Sequence, residues 1–185
     1  MADFKIAYQK TSVVEGGYAN NPHDSGGETW EGISRNNEVN WIGWDIIDHY
    51  KKLPGFPANL KASTELENAV QAVYKNNYWD VLNLDLIQDQ RMANEIYDTG
   101  VNMGTGRAGI FFQTVLNVSS KTQLTLDGKV GPKTITLFNS LSDSDKYMVW
   151  KLFNCLQGEK YISICEANPS QEIFMRSWAS RVFEN

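Results

Sequence analysis

Cysteine and histidine are scarce, with two of each in 185 residues. Cys155 and Cys165 stand apart without a CxxC spacing, and His23 and His49 form no HxxxH pair, so the sequence assigns no metal and no cofactor. The two thiols read as buried or half-buried side chains, and a disulfide cannot be judged from spacing. Positive charge is in deficit: 17 Lys and Arg against 22 Asp and Glu leave a formal −5, and the pI is near 5.1. That balance argues against a nucleic-acid partner, whose phosphates need a basic face. No run approaches the roughly 20 uncharged apolar residues of a membrane span. The first 17 residues lack the basic and apolar regions of a secretory signal, which predicts synthesis in the cytoplasm.

Helical periodicity is abundant. Phe4, Ala7, Tyr8 and Thr11 share one helix face, and Gly16-Gly17 is the expected stop. Trp41, Trp44, Asp45 and Asp48 predict a second helix before Pro54 and Pro57. Thr64-Glu65-Leu66-Glu67 reads as a capping box that opens a helix through Leu66, Val70, Val73 and Asn77. Met92, Ala93, Ile96, Tyr97 and Val101 line another, and Ala108, Phe111, Phe112, Val115 and Leu116 the next. Asp127-Gly128 marks a turn, and Pro132 suits a first helical position. Trp150, Phe153, Ile162, Cys165, Trp178 and Val182 are expected core contacts of the last helices. About eight helices with short connections predict an all-α fold. The exception is a polar, glycine-rich stretch from Tyr18 to Asn40, long enough to suggest a function or hidden local structure.

That stretch carries the chemistry. Glu15 falls where a helix is expected to end, and the negative end of the macrodipole favours its protonated form. The dipole supplies only about 0.3–1 kcal/mol, so desolvation, for example by Tyr18 and Trp30, must supply the rest of a general acid's pKa. Asp24 follows nine positions later in a glycine-rich loop. One protonated and one ionised carboxyl group are what glycoside hydrolysis requires. Thr29 could hold the water that Asp24 deprotonates. Glu28 and Glu31 compete with Asp24 for the second role. Asp98 and Asn102, one helical turn apart, could meet sugar hydroxyls or acetamido groups. Trp79 reads as core in preference to a sugar platform.

The run Glu15-Gly16-Gly17-Tyr18 through Asp24-Ser25-Gly26-Gly27-Glu28-Thr29 to Gly32-Ile33-Ser34 resembles the amino-terminal signature of the N-acetylmuramidases of glycoside hydrolase family 108. That family includes phage endolysins and secretion activator proteins. The likeness continues through Tyr78-Trp79-Asp80 and Asp98-Thr99-Gly100-Val101-Asn102-Met103-Gly104. Phe112-Gln113, Leu126 to Thr134 and Phe174 to Trp178 then resemble the peptidoglycan-binding half that usually accompanies it. Ser25 and Glu31 depart from the proline and the aromatic residue common there.

The resemblance implies a lysozyme-like helical fold with a loop-rich amino-terminal active-site segment. It implies a catalytic region over 1–90 and a peptidoglycan-binding-like region over 91–185, and the short connections favour packing as one unit. It makes Glu15 the catalytic acid; similarity to the Glu-Asp-Thr order of T4-type phage lysozymes implies Asp24 as the second carboxylate and Thr29 as its helper, and Tyr18, Glu28, Trp30, Asp98 and Asn102 are the expected substrate-binding residues. The spacing Glu-x8-Asp-x4-Thr is one residue shorter in its second interval than that of T4-type phage lysozymes. The implied reaction is hydrolysis of the β-1,4 bond between N-acetylmuramic acid and N-acetylglucosamine. A lytic transglycosylase using Glu15 alone, or a wall-binding, secretion-assisting protein without turnover, are the alternatives. The implied partner is the peptidoglycan glycan strand, met by a monomer at the cell wall or periplasm after release through a holin or another export route.

Overall fold

A computed structural model describes residues 1–11, 17–21 and 26–183. Its helices are α1 (Phe4–Thr11), α2 (Gly43–Tyr50), α3 (Thr64–Tyr74), α4 (Gln90–Met103), α5 (Thr105–Ser119), α6 (Pro132–Asn139), α7 (Asp143–Ala167) and α8 (Met175–Phe183). Beside them the described residues form short 3-10 and π-helical turns and three short strands, β1 (Tyr18–Asn20), β2 (Glu28–Trp30) and β3 (Ile33–Ser34), so the protein is a mostly helical, lysozyme-like fold. Among the described residues no helix is long and apolar enough to cross a membrane. The chain divides into two compact units: residues 11–76, and a discontinuous one of residues 1–10 and 77–185. This division follows packing, whereas a boundary at residue 90 follows motifs.

In the unit of residues 11–76, β2 is the central strand of an antiparallel sheet. Tyr18 lies opposite Trp30, Asn20 opposite Glu28, and Trp30 opposite Ile33. Residues directly opposite share a face, so Tyr18, Asn20, Glu28, Trp30 and Ile33 point one way and Ala19, Thr29 and Ser34 the other. Glu28, Trp30 and Ile33 are buried. Helices α2 and α3 pack on one another, and Trp41 Nε1 donates to the Ala69 carbonyl of α3 at 3.2 Å. The cap of α3 is Ser63, one residue before the expected threonine: its hydroxyl accepts from Leu66 N at 3.2 Å. Glu67, the other half of the expected box, accepts from Gln71 instead.

The second unit closes on aromatic rings. Phe4 of α1 meets Trp79 and Tyr97 edge-on, with centroids 5.7 and 5.8 Å away. Trp79 is fully buried and its Nε1 donates to Asp85 at 2.7 Å, so it is core as expected. Asp89 caps α4, accepting from Arg91 N and Met92 N. The Asp127-Gly128 turn is clipped to α5 by Gln113. Its amide donates to Asp127 and Lys129 O, while its oxygen accepts from Gly128 N. A Cβ on Gly128 would lie 2.7 Å from Gly106 O, which is why the turn requires glycine. Both cysteines are free thiols; Cys165 is buried but Cys155 is exposed, against expectation. Ile162 is also outside the core, 54% exposed, because α7 is a 25-residue helix with one side left in solvent.

Candidate active site

Glu15 and Asp24 lie outside the described residues. What the structure shows is the scaffold between and after them. Strands β2 and β3 are joined by Glu31-Gly32, whose φ values of 45° and 79° define a two-residue hairpin turn of the type that matches strand twist. Tyr74 of α3 holds the tip: its hydroxyl donates to Glu31 O at 2.9 Å. A Cβ on Gly32 would stand 2.8 Å from that hydroxyl, so only glycine fits beneath it.

Glu28 sits on the buried face of the sheet, and both its oxygens meet cations. Arg35 Nε is 3.0 Å from one oxygen and Lys51 Nζ 2.7 Å from the other. The same two cations each reach Asp48 at 2.9 Å. Two anions and two cations thus tie β2 to the carboxyl end of α2, where a lysine is also favoured by the macrodipole. The Arg35 guanidinium lies 4.7 Å from the centre of the Trp44 ring and donates to Trp44 O. Hydrogen bonding from Arg35 and Lys51 lowers the Asp48 pKa. Burial disfavours the Lys51 ammonium, but Glu28 and Asp48 more than restore it and raise its pKa. Tyr18 stands beside this network, packed edge-on against Phe56 at 4.6 Å. Burial and its hydrogen bond to Glu28 raise the pKa of its phenol.

Glu31 has a different setting. Desolvation raises its pKa, and the Glu67 carboxylate on α3 adds to that, partly opposed by Lys61. Its carboxyl group therefore belongs with the α3 side of the hairpin, where Tyr74 also acts. Thr29 lies on the opposite, less buried face with Ala19 and Ser34. The sheet thus gathers Tyr18, Glu28 and Trp30 on one side and presents Thr29 on the other.

Asp98 and Asn102 belong to the other unit. Asp98 is 5% exposed and its Oδ1 accepts from Arg181 Nη1 of α8 at 2.5 Å, while Gln157 of α7 stands 3.4 Å from Oδ2. Gln157 also donates to Thr99 at 3.1 Å. Asn102 is exposed, and its amide donates to Asp98 O, bracing the last turn of α4. The sequence reading missed the residue between these groups. Glu95 is wholly buried, between Asp98 on its own helix and Trp150 and Asn154 of α7. Its place beside Met92, Ala93, Ile96 and Tyr97 was the available signal, since every residue from 92 to 100 is buried.

Comparison with known proteins agrees with this architecture. The Glycosyl hydrolase 108 family model matches residues 8–104, and the Predicted Peptidoglycan domain model matches residues 107–183. The solved structure of Brucella abortus SagA is similar in fold, with a TM-score of 0.58 and 21% identity over 97% of this chain and 88% of that one. No curated protein sequence matches the chain. The fold and the two matched regions define a peptidoglycan hydrolase. Within that class, the chain belongs to the glycosyl hydrolase 108 family, whose model matches more than half of its length.

Proposed function

We propose that the protein is an N-acetylmuramidase. It hydrolyses the β-1,4 bond between N-acetylmuramic acid and N-acetylglucosamine, with Glu15 as general acid and Asp24 as general base. Glu15 gives its proton to the glycosidic oxygen as the bond to the muramic anomeric carbon breaks. Asp24 takes a proton from the water that attacks that carbon from the opposite face, and Thr29 orients the water. An inverting scheme requires two carboxyl groups roughly 6.5–9.5 Å apart.

The observation that carries the reading is the family match across residues 8–104, which contains both carboxylates and the hairpin between β2 and β3. The settings of the competing carboxylates support Asp24 as the second group. Glu28 is ion-paired with Arg35 and Lys51, and desolvation with the nearby Glu67 carboxylate disfavours the charged form of Glu31. Thr29, on the less buried face, is free of that charged network. We assign Tyr18, Trp30 and Glu28, on the opposite face of the sheet, to supporting the hairpin that carries Thr29, Glu28 through its ion pairs.

The test is turbidity loss of purified sacculi. Glu15→Gln should abolish it, and Asp24→Asn should reduce it by several orders of magnitude. Substantial activity in Asp24→Asn would move the reaction to the single-carboxylate transglycosylase scheme, and activity in Glu15→Gln would remove Glu15 from either.

A further inference from the structure

The solvent side of α7 carries an apolar row. Met148, Leu152, Cys155 and Ile162 follow one another at steps of four, three and seven, the spacing that keeps residues in one line along a helix. All four are exposed, Met148 by 41%, Leu152 by 36% and Ile162 by 54%. Glu159 occupies the remaining position of the row. An exposed apolar side chain by itself needs no explanation, but this set runs for about 21 Å along one helix, at 1.5 Å per residue.

The row is also antisymmetric in charge about Cys155. Lys151 precedes it by four residues and Glu159 follows it by four; Met148 precedes it by seven and Ile162 follows by seven. Both charged side chains are exposed, and neither has an ion pair among the described residues. The Lys151 ammonium rests over the Trp150 ring at 4.5 Å and near that of Tyr147 at 5.4 Å, so it stays at the edge of the row. Turning a second α7 end for end about Cys155 places each Lys151 against a Glu159 and each Met148 against an Ile162. A parallel pairing would instead set lysine against lysine and glutamate against glutamate.

We propose that this face of α7 is the contact surface for a second copy of the chain, packed antiparallel about a two-fold axis at Cys155. The contact is isologous, so each pairing occurs twice and the interface closes on itself. A seam about 21 Å long on a helix about 10 Å wide covers only about 200 Å² on each copy, well below the roughly 1,200–2,000 Å² in total of a standard stable interface, which makes the dimer weak and concentration-dependent.

Sedimentation velocity on the full chain over a wide concentration range tests it. The wild type should show a reversible monomer–dimer equilibrium. Lys151→Glu alone or Glu159→Lys alone turns two attractive contacts into repulsive ones and should weaken association about tenfold or more. The double variant Lys151→Glu/Glu159→Lys should restore it, a rescue that simple loss of helix stability would not give. A short bis-maleimide should link two copies through Cys155 in the wild type and not in Cys155→Ser. A chain that stays monomeric throughout, single reversals without effect, or a double reversal that fails to rescue would each overturn the proposal.

Discussion

Glu95 makes the energetics of α4 unusually sensitive to pH. Its carboxyl group is wholly buried, and burial together with the nearby Asp98 pushes its pKa from 4.5 to about 8. Trp150 and Asn154 of α7 and Lys10 of α1 pull the other way without cancelling this. The Asn154 amide already donates to Trp150 O at 2.8 Å, which limits what it can give to Glu95. Tyr161, raised by burial and by Asp98, supplies no charge, and Arg181 is engaged by Asp98. The folded chain therefore holds this proton to higher pH than the unfolded chain. Its contribution to stability is fully present below about pH 4.5 and is lost as the pH rises through 8. The loss is about 1.4 kcal/mol per pH unit in that window. Glu95→Gln keeps the shape and removes the titration. Denaturant unfolding at pH 5 and pH 7.5 should show the variant gaining about 3 kcal/mol on the wild type between the two conditions. A difference that does not change with pH would refute an uncharged, buried Glu95.

Two further predictions concern the hairpin. Arg35→Ala leaves Glu28 and Asp48 sharing Lys51 alone, and should destabilise the chain by about 2 kcal/mol in denaturant unfolding, with a larger loss of sacculus turnover than of folded protein. An unchanged midpoint would mean the network carries no stability. Gly32→Ala forces a Cβ toward the Tyr74 hydroxyl at a positive φ and should cost about 2 kcal/mol. Adding Tyr74→Phe should recover part of that cost by clearing the obstruction, and the thermal midpoints of the single and double variants would show it.

The sequence made the long-period features readable. Phe4, Ala7, Tyr8 and Thr11 are all buried as their spacing implies, and Pro132 opens α6. The sheet was not readable, because strands of two or three residues are too short to show alternation. Glu28 looked like a binding residue beside Thr29. Its partners Arg35 and Lys51 are brought to it only by folding the hairpin onto α2, which local pattern does not encode. The cap falls one residue before the Thr64 that the capping-box pattern points to, because Ser63 is adjacent and serine is the better N-cap of the two. Spacing points Ile162 inward and reads Cys155 as buried or half-buried, but α7 is apolar on several sides, so its periodicity does not say which side faces solvent. Glu95 was passed over because a carboxylate inside a helix is ordinarily its solvated side.

In the proposed reaction the carboxylic acid at position 15, assisted by a second carboxylate, hydrolyses the glycan strand. Mass spectrometry of the fragments released from purified sacculi tests it most directly. Wild type should release muropeptides with reducing muramic acid ends, and Glu15→Gln should release none. Anhydro-muramic ends, or the same fragments from Glu15→Gln, would contradict it.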